Sequence, residues 1–332
     1  MKSSINVAVI GTGYWGKNHV RVYKGLESLG IVKFQKICDV DPVNGQKVAD
    51  QYHLESTEDY KEILKDQDID AVSLCTPNDT HYQLGLEFLR AGKHVLIEKP
   101  LTLTSKEAEK LAGFAEAENL ILMAGHIFRF NPLVRRLKDE LEKGALGDAY
   151  LLVANRTGLF IPRRECGVIM DLAIHDIDIA LYLLDEQLPR KVRAIGGSFW
   201  GKKFEEAAFV ALDFGEMTCY IFSSWLFPNR VRENWVMGSK GELHVDYANE
   251  KMLMFEKRIT ANANCSLQIH DGPCKELQVE KREPLELELT HFVEHAKKNQ
   301  QTEVDGYVAS KVIKVCEIAV KSLCKQQTMI VT

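Results

Sequence analysis

Short apolar runs alternate with amphipathic stretches through the first 125 residues. Ile5–Ile10, Phe34–Cys38, Ala71–Leu74, Val95–Ile97 and Ile121–Ala124 are each about a strand long. Between them, residues 15–28, 43–52, 81–91 and 105–118 carry apolar positions at helical spacing. Apolar strands alternating with helices predict parallel βαβ units whose sheet is covered on both faces. After residue 125 the texture changes. Helical patterns at Pro132–Lys143 and Asp171–Leu184 bracket a strand at Leu151–Asn155. Strand-like runs follow at Val192–Trp200, Ala207–Phe214, Met217–Ser224, Val231–Met237 and Glu242–Tyr247. Turn signals at Asp213-Phe-Gly-Glu216 and Gly238-Ser-Lys-Gly241 join some of them, which predicts an antiparallel sheet. Residues 250–283 are polar and show no clear period, and 284–298 and 306–324 read as closing helices. The expected division is 1–125 and 126–332, with the helix at 306–324 packing back on the first domain.

Composition narrows the class. A chain of 332 residues, 45% hydrophobic, suits two domains. Lys and Arg number 42 against 47 Asp and Glu, for a net charge of -5, so the basic footprint of a nucleic-acid binder is missing. The eight cysteines, Cys265 among them, are scattered with no Cys-x-x-Cys pair, which fits small buried side chains in a reducing compartment. Lys2 is followed by serines rather than a signal-peptide apolar core, and no run approaches the ~20 apolar residues that span a bilayer. The expectation is a soluble cytoplasmic protein with no membrane or nucleic-acid partner. The sequons at Asn78, Asn155 and Asn264 are then chance matches.

Gly11-Thr12-Gly13-Tyr14-Trp15-Gly16 follows an apolar strand and opens a helix. In that context G-x-G-x-x-G is a dinucleotide-binding turn: Gly11 allows the tight bend, Gly13 lets N–H groups approach a pyrophosphate, and Gly16 lets helix and strand pack closely. The helix N-terminus adds partial positive charge. Asp39 ends the second strand pattern, where a carboxylate accepts from the adenosine ribose hydroxyls and repels a 2′-phosphate, so NAD is expected over NADP.

Two further motifs carry chemistry. Glu98-Lys99-Pro100 ends a parallel strand, on the side where doubly wound sheets bind ligands. The Lys99 ammonium suits a substrate hydroxyl, and Glu98 suits holding the lysine. Asp171 and His175 stand at i and i+4 on a helix, a spacing that serves proton transfer near neutral pH or a plain surface ion pair. No third group stands at metal spacing, so no metal is expected.

With Cys75-Thr-Pro-Asn78 and His81, Ala91–Pro100, Arg129-Phe-Asn-Pro132 and the Asp171–His175-Asp176 helix added, the chain resembles the glucose–fructose oxidoreductase and inositol dehydrogenase (Gfo/Idh/MocA) family end to end. The resemblance implies an α/β fold: a Rossmann doubly wound sheet, then an α+β domain with an open, mostly antiparallel sheet that builds homodimers or homotetramers. It implies a catalytic set of Lys99, Asp171 and His175. It also implies NAD contacts from Gly11, Gly13, Tyr14, Trp15, Gly16, Asp39, Thr76, Pro77, Asn78, His81, Glu98 and Lys99.

A finer likeness, carried by Arg156–Arg163 and Gly167–Asp178, is to enzymes that oxidise the 3-hydroxyl of UDP-N-acetylglucosamine. It implies substrate contacts from His126, Arg129, Arg156, Arg163, Asp171 and His175. Arg164 joins the guanidinium groups from which a diphosphate ligand would be drawn. His126 serves that ligand or a buried structural role. The keto-sugar product would suit a downstream aminotransferase. The alternatives are a dehydrogenase or reductase of a free sugar or cyclitol, and an NAD-binding regulator without catalysis.

Overall fold

The computed structural model describes residues 4–201, 203–261 and 266–331, so Lys2, Asn264 and Cys265 lie outside the described residues. The chain divides into two compact units, Met1–Ile127 with Glu283–Ile313 and Phe128–Arg282 with Lys314–Thr332.

In the first unit the strands are β1 (Ile5–Ile10), β2 (Val32–Cys38), β3 (Glu55–Thr57), β4 (Ala71–Leu74), β5 (His94–Glu98) and β6 (Leu122–Gly125). They form a wholly parallel sheet in the order β3-β2-β1-β4-β5-β6. The helices are α1 (Tyr14–Ser28), α2 (Pro42–Tyr52), α3 (Tyr60–Lys65), α4 (His81–Arg90) and α5 (Ser105–Ala117). β4 is buried along its whole length, as a strand covered on both faces must be. Strand order reverses between β1 and β4, the switch point at which such sheets bind ligands. The short β3 and α3 were not visible in the apolar pattern.

The second unit holds α6 (Pro132–Glu142), β7 (Ala149–Leu159), a π-helical turn at Ile169–Ala173 and α7 (Ile174–Leu183). Its further strands are β8 (Lys191–Gly197), β9 (Ala207–Asp213), β10 (Thr218–Ser224), β11 (Leu226–Gly238), β12 (Gly241–Asp246) and β13 (Lys251–Phe255). β14 (Arg258–Ala261), β15 (Leu267–His270), β16 (Cys274–Glu276) and β17 (Met329–Ile330) complete the list. Among the described residues the main sheet runs β16-β13-β12-β11-β7-β10-β9-β8-β17, antiparallel except where β10 pairs with β7. One face buries Leu152, Ala154, Val210, Leu212, Ile221 and Val236, and α6 and α7 contact this sheet. β14 and β15 pair only with each other and β15 is exposed throughout, which explains the missing period in 250–283.

The closing helices α8 (Pro284–Lys298) and α9 (Gly306–Lys325) depart from the expected division at 125 and 126. α8 buries Leu285, Leu289, Phe292 and Val293 and packs on α1, and the Ala124 N–H donates to the Val304 carbonyl at 2.9 Å. These contacts draw Glu283–Ile313 into the first unit. The remainder of α9, expected to return there as a whole, belongs to the second.

Buried ion pairs anchor α7, and they correct the reading of two arginines. Arg156 of β7 is 1% exposed and donates through Nε and Nη2 to the two oxygens of Asp176 at 2.6 and 2.9 Å. Arg129 is 2% exposed; its Nε lies 2.7 Å from Asp178 Oδ1, and its two Nη atoms reach Glu186. Burial opposes the Arg129 charge, and Asp178 and Glu186 more than offset it, raising its pKa. Arg129 and Arg156, expected as substrate contacts, are therefore structural cations turned into the core of their own unit.

Deleting one partner of such a pair strands the other charge. Asp178→Ala is expected to destabilise the protein by about 3–5 kcal/mol, read as a lowered denaturation midpoint. Glu186→Ala, at the more exposed end of the same network, is expected to cost less.

Candidate active site

The glycine turn is fixed by clearance. Gly11 has φ +86°, and a Cβ there would stand 2.7 Å from the Cys75 carbonyl oxygen across the switch point. A Cβ on Gly16 would stand 1.9 Å from the Gly11 carbonyl oxygen. Gly13, which caps α1, is the opposite case: a Cβ there meets nothing within 4 Å. The first turn of α1 carries no acidic residue. Open space at a helix N-terminus with bare N–H groups fits a pyrophosphate. Tyr14 is 78% exposed and pairs edge-on with Trp15, both beside that opening.

Asp39 follows β2. One oxygen accepts from the Thr12 N–H at 2.7 Å, from the Thr12 hydroxyl and from Asn44 Nδ2 at 3.0 Å; the other accepts from the Asp41 N–H at 2.9 Å. Burial works against its charge, but these donors win and hold the carboxyl below its ordinary range. Asp39 is thus both a brace for the glycine turn and a fixed negative charge at the β2 end, where the sequence pattern leads one to expect ribose hydroxyls.

At the ends of β4 and β5 the sequence-derived residues are also together. The half-buried Thr76 and Asn78 and the exposed Pro77 form the turn after β4. His81 is fully buried, and its ring nitrogens face the Pro100 carbonyl at 2.8 Å and the Thr76 carbonyl at 2.9 Å. Burial pushes its titration down, while the two carbonyls and Glu98 push the other way. Expected as a nicotinamide-side contact, His81 is instead a strut joining the β4 and β5 loops. Glu98 is 7% exposed; one oxygen meets His19 Nε2 at 3.0 Å and the other accepts the Lys99 N–H at 3.2 Å. The Lys99–Pro100 peptide is cis. His19 escaped sequence reasoning, although its place one turn beyond Gly16 on the buried side of α1 was the available signal. His126, directly after β6, is fully buried.

The second unit holds the other half of the expected set. Asp171 sits in the π turn, a form that recurs at functional sites. It is 7% exposed, accepts from Trp225 Nε1 at 3.1 Å, and lies 3.5 Å from the Arg163 Nε. Arg163 is half exposed and Arg164 exposed, so these two arginines, unlike Arg129 and Arg156, face solvent. His175 is 8% exposed and packs edge-on against Phe128 at 5.1 Å. Phe128 carries the Arg156 guanidinium 4.1 Å over its ring, with Tyr247 at 5.3 Å. Gly167 makes room for Glu205, whose carboxylate accepts the Ile169 N–H at 3.1 Å and so caps the helix. Trp225, Phe128 and Glu205 were not identified from sequence, because each acts through a long-range contact.

A cofactor-binding turn at the switch point of a parallel sheet, with a carboxylate after the second strand, defines a dinucleotide-dependent Rossmann protein. Residues 5–126 match the oxidoreductase family with an NAD-binding Rossmann fold, and residues 134–244 match the GFO/IDH/MocA C-terminal domain. The chain belongs to the Gfo/Idh/MocA oxidoreductase family, and its cofactor is NAD. It is 28% identical to the UDP-N-acetylglucosamine 3-dehydrogenase of Acidithiobacillus ferrooxidans, over 93% of this chain and 94% of that one. The solved structure of that enzyme superposes with a TM-score of 0.82 at 25% identity, covering 96% of this chain and 97% of the other. The myo-inositol 2-dehydrogenase of Thermotoga maritima is 26% identical over 74% of this chain and 76% of its own. Among the described residues no helix is long and apolar enough to cross a membrane.

On the expectation that Asp39 accepts from the ribose hydroxyls, removing its carboxylate deletes charge-assisted hydrogen bonds to the cofactor. Asp39→Ala is expected to weaken NAD by about tenfold or more and to narrow its advantage over NADP, measured by titration calorimetry with each cofactor.

Proposed function

We propose that the protein oxidises a hydroxyl of a nucleotide sugar, the 3-hydroxyl of UDP-N-acetylglucosamine, to the ketone in the cytoplasm. The carrying observation is Arg163. Its half-exposed guanidinium lies beside the Asp171 carboxylate, which suits a ligand bearing both a diphosphate and a reactive sugar. The relative similar over nearly its whole length, an enzyme of that specificity, supports the same reading.

His175 takes the proton of the sugar hydroxyl, and the Lys99 ammonium polarises the same oxygen as charge builds on it. Asp171, braced by Trp225, orients the His175 ring from the same helical segment. Phe128 packs edge-on against the imidazole ring. When bound, NAD supplies the acceptor for the hydride that leaves the same carbon, so the alcohol gives up a proton and a hydride and becomes a carbonyl. Thr76, Pro77 and Asn78 serve the nicotinamide side, and the exposed Arg163 and Arg164 serve the diphosphate.

Homodimers or homotetramers form through the outer face of the large sheet. Ile195, Phe209 and Tyr220 on that face are 62%, 59% and 50% exposed, and Phe209 stacks on Phe222 at 4.2 Å. A contiguous apolar sheet face of this kind marks an interface rather than a solvated surface. A keto sugar of this type is a substrate for an aminotransferase.

NADH absorbance across UDP-sugars, free sugars and cyclitols tests the substrate. Turnover is expected with UDP-N-acetylglucosamine; turnover with inositols and none with nucleotide sugars would favour the cyclitol reading that the inositol dehydrogenase relative suggests. Lys99→Ala and His175→Ala are each expected to lower kcat by about 10²-fold or more, with NAD binding retained. Phe209→Asp is expected to give a smaller assembly than the wild type by light scattering, and an unchanged mass would refute the proposed interface.

A further inference from the structure

The Glu98-Lys99-Pro100 turn is held from two sides by buried histidines. His81, from the start of α4, spans the Pro100 and Thr76 carbonyls. His19, from α1, meets the Glu98 carboxylate, whose second oxygen takes the Lys99 backbone N–H. His19 is fully buried. A carboxylate only accepts, so the His19 proton sits on Nε2, and the buried Nδ1 has no hydrogen-bond partner. Among the described residues, His19 is a side-chain partner of Glu98. Gly125 of β6 contributes only clearance, its hypothetical Cβ 3.1 Å from the Glu98 Cα. The Cys75 thiol is pushed up by burial and then by Glu98 and Glu288, so it stays neutral.

We propose that His19 is a positioning residue for Lys99: it fixes Glu98, and Glu98 fixes the Lys99 backbone. The helix whose N-terminus faces the pyrophosphate thereby also aligns the catalytic ammonium, one turn beyond Gly16. The inference rests on the reading of Lys99 as catalytic. Small displacements at a reacting centre are costly, so loss of His19 acts on kcat more than on cofactor affinity.

Three variants test it: His19→Leu, which removes the donor; His19→Gln, whose amide nitrogen stands near the place of Nε2; and His19→Asn, which falls short of Glu98. The readouts are kcat, KM for NAD, and hydrogen exchange of the Lys99 amide by mass spectrometry. His19→Leu and His19→Asn are expected to lower kcat by up to about 10²-fold, change KM for NAD much less, and speed exchange of the Lys99 amide. His19→Gln is expected to restore most of the turnover and the slow exchange. Should His19→Leu fail to fold, the Gln and Asn pair decides alone. Wild-type kcat in His19→Asn, or unchanged Lys99 exchange in both His19→Leu and His19→Asn, would overturn the proposal. Wild-type turnover in Lys99→Ala would instead defeat the catalytic reading of Lys99, while the exchange measurement would still report on the clamp.

Discussion

The close approach of β1 to β4 at Gly11 sets the terms for the whole first unit. The Gly11 backbone lies so near the Cys75 carbonyl, and Gly16 so near the Gly11 carbonyl, that neither position has room for a side chain. This tightness brings α1 down onto the switch point with its N–H groups open. Asp39 braces the turn through Thr12, and its charge is maintained by the same hydrogen bonds. The residues that shape the cofactor turn and the Asp39 carboxylate are one hydrogen-bonded assembly.

In the second unit the equivalent anchor is electrostatic. The segment from Asp171 to Asp178 buries three carboxylates and a histidine, an arrangement tolerable only when each charge is answered. Arg156 answers Asp176 and Arg129 answers Asp178, which holds α7 against β7 and the turn before α6. Asp171 has the indole N–H of Trp225 and the outlying Arg163, and so keeps a side toward solvent-facing charge. Motif reading could not separate these roles, because Arg129, Arg156, Arg163 and Arg164 present the same guanidinium, which suits a phosphate and a buried carboxylate alike.

The buried histidines show the same division between local pattern and long-range role. His81 lies within a family motif, yet its ring is consumed by two carbonyls. His19 lies between motifs and reaches the Glu98-Lys99-Pro100 turn from α1. Each role depends on which strand end the helix meets, a property of sheet order rather than of neighbouring residues.

Local sequence alone determined the strand–helix alternation of the first half, the glycine turn and its helix, most helix boundaries to within a residue or two, and the candidate Lys99, Asp171 and His175. Periodicity and steric need at glycine are short-range properties, so they are written in neighbouring residues. Only the tertiary structure decided that Glu283–Ile313 joins the first unit, that β10 lies parallel to β7, and that Arg129 and Arg156 face inward while Arg163 and Arg164 face outward. Burial and charge pairing join residues far apart in the chain, and a charged side chain reads the same in sequence whether it meets solvent or a buried partner.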